Sequence, residues 1–119
     1  MVVAKTRKDS TLIPTKIKKI LRDLKSGLIS IYGEQVKAVY LFGSFARGQG
    51  KLPDSDIDVM IVLKGQFNYR EQDKRSWDFI ASLSLKYDVV VSIKLVSENT
   101  YLESKMPLYI NVRREGVQI

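Results

Sequence analysis

Apolar residues at Ile13, Ile17, Leu21, Leu24, Leu28 and Ile31 recur at three- and four-residue steps around Pro14. That spacing predicts an amphipathic helix with proline in its first turn, closed by Gly33. The period then shortens: residues 36 to 42 (VKAVYLF) and 56 to 63 (DIDVMIVL) predict two strands, joined by a loop bearing glycine and proline. A second helix is expected from about Asn68 to Tyr87, turning Trp77, Ile80, Leu83 and Tyr87 inward. A third strand follows over Asp88 to Val96 (DVVVSIKLV). Ser97 suits the cap of a short helix to about Lys105, and Pro107 opens another that Gly116 ends. The sum is an α+β domain, a small mixed β-sheet with helices packed mainly on one face.

The strand faces carry a further expectation. Ile57, Val59, Ile61 and Leu63 share one face of the second strand, and Val89, Val91, Ile93 and Leu95 share one face of the third. Both should lie under helices. The opposite face of the third strand, Asp88, Val90, Ser92 and Lys94, is too polar to be fully covered, which predicts a partly open cleft.

Length and composition fit one domain: 119 residues, 45% of them apolar, can bury a real core. Residues 1 to 12 read as a flexible basic arm and residues 13 to 119 as the folded unit. The chain has neither histidine nor cysteine. That excludes Ser-His-Asp and Cys-His catalysis and the usual zinc sites, leaving carboxylates, hydroxyls, basic groups or a hard cation to do any chemistry. With no disulfide framework, no signal-like apolar run and no stretch of about 18 apolar residues, a cytoplasmic protein without a membrane span is expected. The net charge is +7, and residues 1 to 25 hold eight basic and two acidic side chains. A solvated helix face explains such a run, and a polyanion such as RNA or an acidic protein is the alternative partner.

The candidate chemistry lies in LFGSFARGQGKLPDSDIDVMIVL, from Leu41 to Leu63. Asp56 and Asp58 are two apart, so on a strand both carboxylates leave the same face. Asp58 also interrupts an otherwise apolar strand, where an ionised group needs a partner. With Asp88 on the neighbouring strand, three like charges would lie within about 5 to 7 Å. Each pair would repel by roughly 2 to 3 kcal/mol at an effective dielectric near 20. A raised pKa or divalent metal relieves that repulsion, and oxygen-only ligands favour Mg2+ or Mn2+. Two such ions about 4 Å apart perform phosphoryl displacement, one activating an attacking hydroxyl and the other holding triphosphate and leaving pyrophosphate. In this reading Asp56, Asp58 and Asp88 are both metal ligands and catalytic residues, and Asp88 is able to take the hydroxyl proton.

Gly43, directly after the first strand, allows a sharp turn and a close approach of a ligand to the backbone. Ser44 can cap a short helix through Phe45, Ala46 and Arg47, whose free amides suit a phosphate. Arg47 would reach the triphosphate or pair with a surface acid. Gly43, Ser44 and Arg47 are therefore the candidate nucleotide-binding residues.

Together Gly43-Ser44 and Asp56-Ile57-Asp58 resemble the signature of minimal nucleotidyltransferases of the DNA polymerase β-like superfamily. The run Phe45-Ala46-Arg47-Gly48, the SDID of Ser55 to Asp58, a later third acid matched by Asp88, and the ending NVRREGVQI from Asn111 are also similar to that family. The resemblance spans about residues 15 to 119. Eleven residues separate Ser44 from Asp56, one more than in most small members, and the extra residue falls in the Gln49 to Pro53 loop. Small stand-alone members resemble the antitoxin of paired HEPN and minimal-nucleotidyltransferase systems. The resemblance implies an Mg2+-dependent enzyme that moves AMP from ATP to a hydroxyl, a tyrosine by that analogy, of a HEPN ribonuclease toxin. A domain this small has little room for an acceptor site of its own, in keeping with a partner that completes the cleft. The alternatives are a binding antitoxin that acts by contact alone, docking through Leu102, Met106, Leu108 and Tyr109, and transfer to a small molecule or an RNA end.

Overall fold

The computed structural model describes residues 12–119. The anticipated arm lies outside them apart from Leu12, which is exposed and sits close to Gly48. The elements run α1 (Thr15–Tyr32), β1 (Val36–Phe42), β2 (Ile57–Leu63), α2 (Tyr69–Lys74), α3 (Trp77–Tyr87), β3 (Val91–Ser97), α4 (Glu98–Glu103), α5 (Pro107–Glu115) and β4 (Val117–Gln118). Sheet order is β3-β2-β1-β4. β2 is antiparallel to β1 and parallel to β3, and β4 adds a short antiparallel edge against Tyr40 and Leu41. The parallel pair requires a long crossover, which α2 and α3 supply.

The alternation along β2 separates two cores. Ile57, Val59, Ile61 and Leu63 are fully buried in a cluster with Ile17, Leu24 and Leu28 of α1 and Leu83 of α3. The other face carries Met60 and Val62, packed with Val96, Tyr101, Tyr109 and Val112 from β3, α4 and α5. Helices therefore cover both faces, the two longest on one and the short C-terminal pair on the other. Arg113 ties that pair together by donating to the carbonyls of Tyr101 and Ser104, each at 2.6 Å. No described helix is long and apolar enough to cross a membrane.

Three expectations need correction. The single helix over 68–87 is two helices, because Arg75 and Ser76 are claimed by other parts of the fold. Ser76 is fully buried with its hydroxyl 3.0 Å from that of Tyr32. Arg75 donates to the Ile31 carbonyl and to Gln35, and its guanidinium lies 5.0 Å above the Tyr32 ring. After this break Trp77 faces solvent, 57% exposed, while Leu83 keeps its inward place. Strand β3 starts at Val91 rather than at Asp88, since Asp88 takes the left-handed conformation (φ 54°) that caps α3, and Val89 still bonds back to Ser84. Of the suggested docking residues, Leu102 and Met106 are exposed, whereas Tyr109 belongs to the second core and Leu108 packs against it.

Candidate active site: a carboxylate pair beside a glycine turn

The site forms where β1 ends and β2 begins. Phe42 pairs with Asp58 across the antiparallel ladder, so the chain leaving β1 turns directly over the aspartate. Gly43 makes that turn at φ 79°. A Cβ placed on it would stand 2.5 Å from an Asp58 carboxylate oxygen. Only a residue without a side chain permits both the left-handed backbone and this approach.

The expected short helix after Gly43 is instead a run of tight turns. Amides of Ala46 and Arg47 bond to the Gly43 carbonyl, that of Gly48 to Phe45 and that of Gln49 to Ser44. The buried Phe45 anchors the loop from below, and Gly50 lies close against its ring. The amides of Ser44 and Phe45, which follow the Gly43 turn, take no part in this set of bonds, and an anion with its own counter-charge could use them. Two bonds between Lys51 and Ser55, 3.0 and 2.8 Å, close the second half of the loop just before Asp56.

Asp58 is half-buried and Asp56 exposed. Burial pushes the Asp58 carboxyl above its ordinary pKa, the negative charge of Asp56 pushes it further, and Arg47 pulls it back. Arg47 itself forms an ion pair with Glu115 on α5 at 3.8 Å, both groups nearly half exposed, and lies 3.4 Å from Gln49. Of the two roles foreseen for this arginine, the structure shows the surface pair, and beside it a positive charge that acts on Asp58.

The structure gathers Asp56, Asp58, Gly43, Ser44 and Arg47, and it sets Asp88 apart as an exposed helix cap three residues before β3. By register the β3 neighbour of Asp58 is Ser92, and Val91 is that of Ile57. Among the described residues no three acidic groups come together to hold a metal ion. The donor set accordingly fits a hard cation in part: two carboxylates side by side with room for outside oxygens, in place of a three-carboxylate cage. The sequence places Ser92 on the polar face of the third strand, but the parallel register that sets it opposite Asp58 is not legible from one strand alone.

A nucleotidyltransferase domain profile matches residues 15–114. The chain belongs to the nucleotidyltransferase domain family. Its relatives include a Methanocaldococcus jannaschii protein provisionally named protein adenylyltransferase, 33% identical over 99 residues, covering 82% of this chain and 92% of that one. A second protein of that organism with the same provisional name is 34% identical over 77 residues, covering 65% and 76%. Among solved structures, a provisionally named nucleotidyltransferase from Sulfolobus solfataricus superposes with a TM-score of 0.56 at 19% identity, covering 98% of this chain and 90% of that one. A toxin-antitoxin structure with AMP-PNP superposes with a TM-score of 0.51 at 24% identity, covering 87% and 68%. These superpositions show that the nucleotidyltransferase fold is shared.

Proposed function

We propose that this nucleotidyltransferase is a protein adenylyltransferase that moves AMP from ATP to a hydroxyl of a partner protein and so neutralises a toxin of the HEPN class. The observation that carries the reading is the contact of Gly43 with Asp58, which sets a left-handed glycine turn against a carboxylate. The names of the archaeal relatives and the toxin-antitoxin and AMP-PNP neighbour support the choice of protein acceptor and nucleotide.

In this proposal the amides of Ser44 and Phe45, the Ser44 hydroxyl and Arg47 receive the triphosphate. Asp56 and Asp58 hold Mg2+, which when bound offsets phosphate charge and makes the α-phosphorus more electrophilic. The acceptor hydroxyl, a tyrosine by analogy, attacks the α-phosphorus. The bond from the α-phosphorus to the bridging oxygen breaks, pyrophosphate departs, and the hydroxyl proton leaves to water on the open side of the cleft. Atoms balance as acceptor plus ATP giving AMP-acceptor, pyrophosphate and a proton.

The test is transfer of label from α-labelled ATP, with Mg2+, to the protein encoded beside this chain. Loss of label in Asp56→Ala and Asp58→Ala single variants that remain folded is expected; transfer unchanged in the double variant refutes the proposal. A second reading, neutralisation by contact alone, draws on the exposed Leu102 (59%) and Met106 (62%) at the α4–α5 turn. It is favoured if the double variant still neutralises the partner in cells.

A further inference from the structure

We propose that the outer edge of the sheet, where β4 runs beside α1, is a docking groove for an extended acidic segment of a partner protein. The segment adds to β4 as a further strand and sets its carboxylates against Lys18, Arg22 and Lys25. That surface lies across β1 from the carboxylate cleft and does not depend on the proposed transfer. Three observations carry it.

The first is shape. Two hollows of about 380 and 270 Å3 meet at Lys25, Gln118 and Ile119. The floor of the larger one is apolar: Ile13, Leu21 and Val117 are buried there, with Ile119 half-buried beside them. One face of α1 forms the wall, because Lys18, Arg22, Lys25 and Ile29 follow one another at steps of four, three and four residues. From Lys18 to Ile29 the helix rises about 16 Å, the length of about five residues of extended chain.

The second is an open backbone edge. Sheet order puts β4 outermost, with β1 its one neighbour among the described residues. The Ile119 amide bonds to the Val39 carbonyl at 3.0 Å, and the register pairs Val117 with Leu41. Bonded and unbonded pairs alternate along an antiparallel ladder, so Gln118, between those two, turns its amide and carbonyl away from β1. An incoming strand bonds to such groups. The third is charge. Four cations line the two hollows, Lys18, Arg22, Lys25 and Lys37, and no acidic side chain does. Lys37 is paired with Glu98 at 3.7 Å, whereas Lys18, Arg22 and Lys25 have no ion pair among the described residues.

These features narrow the occupant. In a strand added to β4 every second side chain rises toward α1, so acids at alternate positions meet the cations while the backbone bonds to Gln118. A basic segment is repelled. RNA matches the charge alone, since no aromatic ring lines either hollow for a base to stack on, and an apolar floor beside outward peptide groups suits a peptide.

The probe is a set of capped heptapeptides with Glu at alternate positions and Val, Ile or Thr between them, titrated into the isotope-labelled full chain and followed by nuclear magnetic resonance. The amides of Lys25, Ile29 and Gln118 are expected to shift, with binding weakened about tenfold or more between about 50 and about 300 mM salt. Peptides with Lys in place of Glu, and Glu peptides methylated on alternate backbone amides, are expected not to bind. Lys25→Glu should weaken binding about threefold or more, and the triple variant Lys18→Glu, Arg22→Glu, Lys25→Glu about tenfold or more. Gln118→Pro, which removes the outward amide and leaves the bonded pairs with β1 in place, should weaken it by about tenfold as well. The proposal is overturned if no peptide of the set shifts these amides, or if the triple variant or Gln118→Pro binds as well as the unmodified chain. It is equally overturned if a single-stranded RNA oligonucleotide shifts them at lower concentration than any peptide. Should the triple variant not fold, Lys25→Glu and the salt dependence decide the matter.

Discussion

Replacing Gly43 with alanine tests the central contact of the site. Two separate penalties follow from the structure. At φ 79° an alanine sits in the left-handed region, which costs roughly 1–2 kcal/mol. Its methyl would also stand 2.5 Å from the Asp58 oxygen, so the carboxylate must leave its rotamer or the turn must shift, at another roughly 1–2 kcal/mol. Gly43→Ala should therefore lose about 2–4 kcal/mol, near 10 °C in melting temperature for a domain of this size. Gly65 provides the control: its φ is 77°, yet a methyl there meets nothing within 4 Å. Gly65→Ala should show only the backbone part. Urea unfolding of Gly43→Ala, Gly65→Ala, Asp58→Ala and the double Gly43→Ala, Asp58→Ala separates the terms, since removing the carboxylate should bring the Gly43 penalty down to that of Gly65. The reasoning is refuted if the two glycine variants match within about 0.5 kcal/mol, or if the Gly43 penalty is the same without Asp58.

Asp58→Asn should stabilise the protein at pH 7 by about 1 kcal/mol after allowance for solvent screening, while abolishing transfer. The sign follows from its raised carboxyl pKa. The folded protein pays for ionising this group once pH exceeds its folded value, and nothing below the ordinary value near 3.9, so the gain should vanish by about pH 3.5. Paired thermal melts at the two pH values check this, and an equal gain at both would contradict it. Arg113→Ala should lose about 2 kcal/mol by urea unfolding, as two partly buried carbonyls lose a charged donor. Arg113→Lys should recover only part of that, because one ammonium cannot reproduce the fork.

Much of this fold is written in local pattern. Helix α1 and strands β1 and β2 are legible because their hydrophobic periods are long and their ends carry Pro14, Gly33 and Gly43. The buried face Ile57, Val59, Ile61 and Leu63 follows from alternation alone. What stays hidden depends on distant partners. Nothing between Asp73 and Trp77 marks a break, since neither glycine nor proline stands there; the break comes from Tyr32, Ile31 and Gln35, about forty positions earlier. The two-residue β4 is too short to have a period. At the site, Asp56 and Asp58 are legible because they stand two apart where β2 begins, Asp56 just before its first residue and Asp58 within it. The third position is not, since it depends on which residue of β3 falls into register: Ser92, four positions after Asp88, stands opposite Asp58.

Strand β2 lies between two neighbours, and from Val59 to Leu63 every side chain is sealed beneath helices on one face or the other. Its first residues emerge from that packing just where Asp56 and Asp58 stand. The proposed reactive groups are thus mounted at the tip of a strand anchored on both faces, so a loosening far away, at Met60 or Leu24 for instance, would be felt as misaimed chemistry before it was felt as unfolding.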